Sequence, residues 1–247
     1  DRNYGFWTMT QLVIGALGLF LLPNLILKFG LAAPFATVTM LALLILPLVK
    51  RFPGRGKSSN GTTIKTNKLW LGLSALCGIL IYYSGQAVVW AYIERIGIDA
   101  EIPLKSVGSI LSLSLVVAIF GAALATWLGS RRGRRLPIAA SMICSAIGIS
   151  LLWESPSIYP YALAACLFNA AWYFCLPYLT AVIANIDSNG RLLIGVGVVF
   201  PASLAAGPAL ATYLLTGASY SPVLWTGMLS LPVGLLIMWK AAGGRET

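Results

Sequence analysis

Two apolar stretches of the sequence carry the polar and aromatic side chains with which this chain could bind a small molecule. In the stretch 69–93, Tyr82, Gln86 and Trp90 recur at i, i+4 and i+8, so we expect them to share a helix face, with Tyr83 beside it. A buried amide is costly unless it finds a hydrogen-bond partner, so Gln86 should face the interior of a helix bundle. It either joins two helices or orients a ligand, and both interpretations stay open.

The second stretch, 159–183, has an amide among aromatic side chains. Asn169 and Tyr173 lie one helical turn apart, and Pro177 removes the helical hydrogen bond to the Tyr173 carbonyl. Such a group suits a neutral or amphipathic, partly aromatic ligand, although aromatic stripes also serve as plain packing. We predict that seven residues bind substrate, namely Tyr82, Tyr83, Gln86, Trp90, Asn169, Trp172 and Tyr173.

Four residues could let helices bend or approach one another closely. Prolines interrupt the helical hydrogen bonding, and glycines let backbones come together. Hinge and packing roles are both compatible with the pattern. The predicted hinge residues are Pro177, Pro201, Gly207 and Pro208.

The sequence contains little that could carry out catalysis. It has no His, which is the commonest general base and metal ligand. Its four cysteines lie inside apolar runs without C-x-x-C spacing, and no carboxylate lies in the middle of such a run. We therefore expect no enzyme, no catalytic residue, no metal and no cofactor. The lack of a mid-run acid also predicts that a proton relay, if there is one, lies elsewhere.

Long uncharged runs must position these residues. The chain is 58% hydrophobic and 10% charged, which is too few charges to coat a water-facing surface. Runs near 20 apolar residues cross the hydrocarbon core as helices. We therefore predict an all-α, polytopic membrane bundle. The eight predicted spans are 6–27, 30–49, 69–93, 106–128, 136–153, 159–183, 192–215 and 223–239.

The basic residues predict an orientation in the membrane. Fourteen of the 17 Lys and Arg residues fall at one set of span ends, including the basic, Gly/Ser/Thr-rich segment 50–68. The positive-inside rule makes that side cytoplasmic and places both chain ends there. The net charge of +10 is explained by this topology, so we expect no nucleic-acid partner.

One turn and its surroundings carry a family resemblance. Residues 126–135 read TWLGSRRGRR, and Arg131, Gly133, Arg134 and Arg135 match the cytoplasmic signature G-x-x-x-D-R-x-G-R-R. Thr126 and Ser130 depart from it. With the span count, the segment 85–97 (GQAVVWAYIERIG) and the linker, the sequence resembles the C-terminal two-thirds of a major facilitator superfamily (MFS) transporter.

The resemblance implies an MFS-like fold and a domain division. Residues 1–49 would be the last two helices of an N-terminal six-helix half, 50–68 a cytoplasmic linker, and 69–247 the C-terminal half. A weak repeat supports this division, since Asp1 and Asn3 match Asp187 and Asn189 at a constant offset. The spans would be family helices five to twelve, which leaves four further helices before residue 1.

The resemblance also implies a function. It predicts a secondary active or facilitative transporter of a small organic solute, working by alternating access in a cell membrane, and in a bacterial inner membrane by likeness to bacterial members. The partners would be the solute, the lipid bilayer and a proton or other coupling ion, and the protein would be a monomer. The alternatives are a non-transporting receptor or assembly subunit and, third, a membrane-embedded enzyme.

The signature residues Arg131, Gly133, Arg134 and Arg135 would form a cytoplasmic gate, or would simply anchor the positive side. Because Ser130 cannot supply the Asp charge of the signature, the gate's clamp would be altered here. We expect Arg131 and Arg135 to meet helix C-termini or lipid phosphates.

Overall fold

The computed structural model describes residues 10, 13–14, 25, 28–30, 32–49, 66–129, 133–153, 156–187, 190–215 and 219–243. The regular structure of this part of the chain is entirely α-helical, because a helix satisfies the backbone groups of an apolar segment within itself. Seven helices follow in chain order: α1 (Ala32–Val49), α2 (Thr66–Asp99), α3 (Leu104–Leu128), α4 (Arg135–Ser150), α5 (Ile158–Ile186), α6 (Arg191–Leu214) and α7 (Ser221–Ala242).

Five of the described helices, α2, α3, α5, α6 and α7, are long and apolar enough to cross a membrane. This indicates a multi-pass helical membrane protein. The prediction of eight spans is not reproduced. Helix α4 has 16 residues and ends at Ser150, which makes it shorter than the ~20 residues of a spanning helix. The apolar part of α1 is also short, and the span predicted at 6–27 lies almost wholly outside the described residues.

Helices α2 and α5 form the centre of the bundle. In their most apolar stretches α2 is 67% buried and α5 is 72% buried, whereas α6 is only 22% buried. Polar and bulky aromatic residues are therefore sheltered on α2 and α5, while α6 exposes Leu, Ile and Val side chains at the periphery. Any interior site must be built mainly from the two central helices.

Each central helix has a parallel partner. Helix α6 runs parallel to α2, with Gly195 against Leu76 near one end and Gly207 against Ala87 near the other. Helix α3 runs parallel to α5 in the same way, with Ser114 bonded to Asn169 and Ala125 bonded to Tyr178.

Each central helix also has an antiparallel partner, and small residues permit the close approach. Between α2 and α7, a Cβ on Gly78 would lie 3.1 Å from the Gly234 carbonyl oxygen. Between α4 and α5, a Cβ on Gly148 would lie 3.1 Å from the Ala164 carbonyl oxygen. The helices therefore form two units, α2–α3–α4 and α5–α6–α7. The first helix of each unit packs parallel to the middle helix of the other unit and antiparallel to its last helix. The two first helices, α2 and α5, run in opposite directions. This is an inverted three-helix repeat.

The charged residues of the described bundle lie at its two ends. Arg135 Nε donates to the Trp239 carbonyl oxygen at 3.0 Å, joining the start of α4 to the end of α7. At the opposite end the Tyr220 hydroxyl donates to the Asp99 carboxylate, joining α7 to α2. The first end carries Lys68, Arg134, Arg135, Arg191, Lys240 and Asp187, and the second carries Glu94, Arg95, Asp99, Glu101 and Lys105.

The division into 1–49, 50–68 and 69–247 stays a prediction. Residues 50–65, most of the predicted linker, lie outside the described residues. Helix α1 has most of its apolar side chains exposed, as in Phe35 and Met40.

Candidate functional site

The central residues of the two central helices meet inside the bundle. Tyr82 and Tyr83 are the two middle residues of the 34-residue helix α2, and Trp172 is the middle residue of the 29-residue helix α5. The ring centroids of Tyr83 and Trp172 lie 5.2 Å apart. The Tyr83 hydroxyl donates to the Trp172 carbonyl oxygen at 3.4 Å. In a bilayer crossed by these helices, this contact lies near the midplane.

Further rings extend this contact. Phe200 of α6 packs edge-on to Tyr83 at 4.9 Å, and Phe168 of α5 lies 5.7 Å from Trp172 and 6.4 Å from Trp90, to which it is stacked. These separations are typical of favourable aromatic pairs. We define the aromatic cluster as Tyr83, Trp90, Phe168, Trp172, Tyr173 and Phe200, which come from α2, α5 and α6.

Four of the seven predicted binding residues belong to this cluster, and a fifth, Tyr82, packs edge-on to Tyr83 with ring centroids 4.7 Å apart. Two cluster members were not predicted. Phe168 could have been found from its spacing, because it lies one turn before Trp172, at the i−4 position. Phe200 lies on a separate helix, and nothing in its sequence neighbourhood indicates that it reaches Tyr83. Its place depends on the parallel packing of α6 on α2.

Gln86 lies outside the cluster, in a hydrogen-bond network between three helices. Its Nε2 donates to the Gly227 carbonyl oxygen at 3.3 Å and to Ser230 Oγ at 3.2 Å, both on α7. Its Oε1 accepts a hydrogen bond of 2.9 Å from Ser145 Oγ on α4. Gln86 is 0% exposed, so its amide joins α2, α4 and α7 in this structure. A role as a substrate ligand stays a prediction that requires this network to open.

Tyr82, Gln86 and Trp90 do not face one neighbour. Each step of four residues turns a helix by about 40° beyond a full turn, so eight residues carry Trp90 well away from Tyr82. Trp90 instead shares the face of Tyr83, seven residues earlier, and points to α5. Tyr82 lies against Gly234 of α7.

Asn169 also forms a hydrogen bond with a neighbouring helix. Its Nδ2 donates to Ser114 Oγ at 2.8 Å, and Ser114 Oγ donates to the Leu111 carbonyl oxygen at 2.7 Å within α3. Asn169 is 3% exposed. It lies one turn from Tyr173 and fixes α3 beside the aromatic cluster.

One buried donor at this level, Trp172 Nε1, has no hydrogen-bond partner among the described residues. Tyr82 Oη has only the thiol of Cys175, a weak acceptor. Unpaired polar groups are most costly in the middle of a membrane, where no water can replace the missing partner. The site therefore combines flat aromatic surface with unused hydrogen-bonding capacity, and no charged residue belongs to it.

The predicted gate is described only in part, since Arg131 lies outside the described residues. Gly133 adopts a left-handed conformation with φ of 73°, which favours glycine at this turn. Arg134 is buried, at 8% exposure. Arg135 meets a helix C-terminus, as expected, and its guanidinium also lies 4.9 Å from the Trp239 ring. The gating role itself stays a prediction.

The predicted hinge residues lie inside continuous helices. Pro177 is a buried residue of α5, and Pro201 and Pro208 lie on the exposed side of α6. A Cβ on Gly207 would lie 2.6 Å from the backbone carbon of Ala87. Close packing against α2 therefore accounts for Gly207, and bending at these four positions stays a prediction.

The sequence matches no protein-family model, and no curated protein matches it. The functional argument therefore rests on the residues and the geometry above.

Proposed function

We propose that this chain is a secondary active or facilitative transporter of the MFS type, which moves a small organic solute across a membrane by alternating access. The aromatic cluster is the solute site in this proposal. The observation that carries the proposal is the meeting of Tyr83 and Trp172 at mid-length of the two central helices.

The inverted repeat supports this proposal. Transporters are commonly built from repeats of opposite orientation, with the substrate site at the repeat interface near the bilayer midplane. Here α2 and α5 are the equivalent helices of the two units, and their central residues are in contact. A bundle with a purely structural role has no need for the unpaired indole N–H of Trp172 at that level.

The proposal includes the domain division and the orientation in the membrane. Residues 1–49 then belong to a first half, 50–68 to a linker and 69–247 to a second half. The basic end, which holds Arg135 and Lys240, faces the cytoplasm by the positive-inside rule, in a bacterial inner membrane if the family resemblance holds.

The positions of the charged residues indicate whether the described helices could couple transport to a proton. The described spanning helices carry their charged residues at the ends, such as Glu94 of α2 and Arg191 of α6. Coupling to a proton normally uses an ionisable group inside the membrane. We therefore propose that these helices bind the solute, and that any coupling group lies outside them.

Solute flux in proteoliposomes tests the proposal. The purified chain would be reconstituted and offered radiolabelled aromatic amides, nucleosides, sugars and amino acids, with and without a pH gradient. Saturable uptake of one class is expected. Absence of any flux by folded protein would contradict transport, and a tightly bound protein partner would then favour the receptor or assembly alternative.

Two matched variants connect flux to the site. Phe200→Ala removes a ring of the aromatic cluster, whereas Phe120→Ala removes a ring that is 69% exposed on α3. We expect Phe200→Ala to raise KM or lower the maximal rate and Phe120→Ala to leave both near wild type. Equal kinetics of the two variants would remove the aromatic cluster from the transport path.

A further inference from the structure

The indole N–H of Trp172 is a hydrogen-bond donor in a place where such a group is rarely left unused. Trp172 is 5% exposed and occupies the middle of α5, yet its Nε1 has no partner among the residues that the structure describes. An indole N–H can only donate, so whatever satisfies it must present an acceptor. Water is scarce at the centre of a membrane. The missing partner is therefore expected to arrive with a ligand.

The surroundings of the indole define the shape of that ligand. Tyr83, Phe168 and Tyr173 surround the Trp172 ring at 5.2, 5.7 and 6.4 Å, and all three rings are tilted to it. None is stacked flat on Trp172. Flat ring surface of this kind favours a planar, apolar body, because aromatic groups pair in offset or tilted arrangements.

The charge of the ligand follows from the same residues. An N–H donor repels a cation that the ring faces alone would attract. An anion would enter a site to which no basic side chain belongs, since α5 contains no Lys or Arg and those of α2, Lys68 and Arg95, lie near its ends. Losing hydration without a counter-charge is costly for an anion. A neutral molecule with an acceptor oxygen fits both constraints.

We propose that Trp172 Nε1–H donates a hydrogen bond to a carbonyl oxygen of a neutral, planar aromatic solute held at the aromatic cluster. Trp172 thereby selects carbonyl-bearing solutes over hydrocarbons of the same shape. This inference rests on the proposed function for the location of the site. It adds the substrate class and the residue that recognises the substrate.

Coumarin and naphthalene are suitable probes, because both are neutral planar bicycles and only coumarin has a carbonyl. Their dissociation constants would be measured with the 247-residue chain in lipid nanodiscs, with the partitioning of each probe into empty nanodiscs subtracted. Wild type would be compared with Trp172→Phe and with Trp127→Phe. Trp127 is 77% exposed on α3, so its variant makes the same chemical change outside the aromatic cluster.

The test compares the ratio of the coumarin affinity to the naphthalene affinity in each protein. We expect wild type to prefer coumarin, and Trp172→Phe to reduce that preference about tenfold, or about 1.4 kcal/mol. Trp127→Phe should keep the preference of wild type. A Trp172→Phe protein with unchanged preference, or a wild type with none, overturns the inference, since the indole would then be a packing group only.

A second measurement covers a Trp172→Phe protein that does not fold. Replacement of Trp172 by 3-benzothienylalanine keeps both rings and removes only the N–H, and it should give the same loss of preference. Failure of this inference is separable from failure of the proposed function. Saturable solute flux with an unchanged preference in Trp172→Phe removes only the donor role, whereas selective coumarin binding without any flux removes only transport.

Discussion

Gly121 of α3 is the position where a single methyl group should disturb the site most. A Cβ at Gly121 would lie 2.5 Å from the carbonyl oxygen of Ala170 on α5, and 3.1 Å from its carbonyl carbon and Cα. All three atoms are backbone atoms, so no side chain can move aside. A Cβ at Gly108 of the same helix meets nothing within 4 Å. The variants Gly121→Ala and Gly108→Ala thus make one chemical change in two environments.

The size of the effect follows from the distances. Carbon and oxygen rarely approach below about 3.3 Å, so α3 and α5 must separate by about 0.8 Å at Gly121. Overpacking of this kind costs about 1–3 kcal/mol. Alanine also favours a helix over glycine by about 0.5–1 kcal/mol, but that gain is common to both variants. The difference between them therefore isolates the packing cost, and the separation also stretches the 2.8 Å hydrogen bond from Asn169 to Ser114.

The assay is the midpoint of thermal unfolding of each variant in the same lipid and at the same protein concentration. We expect Gly108→Ala to match or exceed wild type. Gly121→Ala should unfold about 2–12 °C below Gly108→Ala, from about 2–4 °C per kcal/mol in a chain of this size. Truncation of Ala170 to glycine should give no rescue, because the opposing atoms are backbone. Midpoints of the two variants within one another's error would refute the close α3–α5 contact.

Three further outcomes test other contacts. Gln86→Leu should lower the unfolding free energy by about 1 kcal/mol. A double-mutant cycle with Ser145→Ala should show coupling, because Gln86 and Ser145 share a hydrogen bond of 2.9 Å. Additive effects of the two substitutions would contradict the hydrogen-bond network. Arg135→Lys should lower the thermal midpoint, because lysine lacks the Nε donor and planar face that contact Trp239, whereas Arg191→Lys on an exposed residue should not. Burial, and then the hydrogen bond to Asp99, raise the pKa of Tyr220 to about 12. The folded chain thus holds the Tyr220 proton more tightly than the unfolded chain. The contribution of protonated Tyr220 to the free energy of unfolding is therefore complete below pH 10 and is lost as the pH rises from about 10 to 12. Ultraviolet titration of tyrosinate, with Tyr220→Phe as the reference, should show the raised pKa of Tyr220. Asp99→Asn should lower that pKa in part. A titration curve that is the same in wild type and Tyr220→Phe would contradict the raised pKa.

The positions of the helices were largely predictable from the sequence. Seven of the eight predicted spans coincide with a described helix, because uncharged apolar runs bounded by charges or turn residues leave few other solutions. Membrane crossing was less predictable for the two short helices. Helix α4 ends at Ser150 and the chain turns at Leu151 and Leu152, although these two leucines continue the apolar run. Hydropathy alone does not register that turn.

The site was predictable only as far as single helices allow. The pattern on α5 grouped Trp172 and Tyr173, which are neighbours on one helix and whose ring centroids lie 6.4 Å apart. It could not show that Gln86 pairs with Ser145 and Ser230, because those partners lie on other helices and their place depends on the packing of glycines such as Gly85 and Gly227. Phe200 was missed for the same reason. One-helix periodicity predicts a face, but only the helix neighbours decide what that face meets.

Alternating access at the aromatic cluster is tested most directly by a cysteine placed there. In a chain whose native Cys77, Cys144, Cys166 and Cys175 are replaced, Tyr173→Cys would be exposed to a membrane-impermeant thiol reagent from each side of proteoliposomes in turn. Leu236→Cys, 75% exposed on the lipid-facing side of α7, serves as the control that should not react. We predict that Tyr173→Cys reacts from both sides and that coumarin protects it. Reaction from one side only, or from neither, would contradict a solute site that opens alternately to the two sides of the membrane.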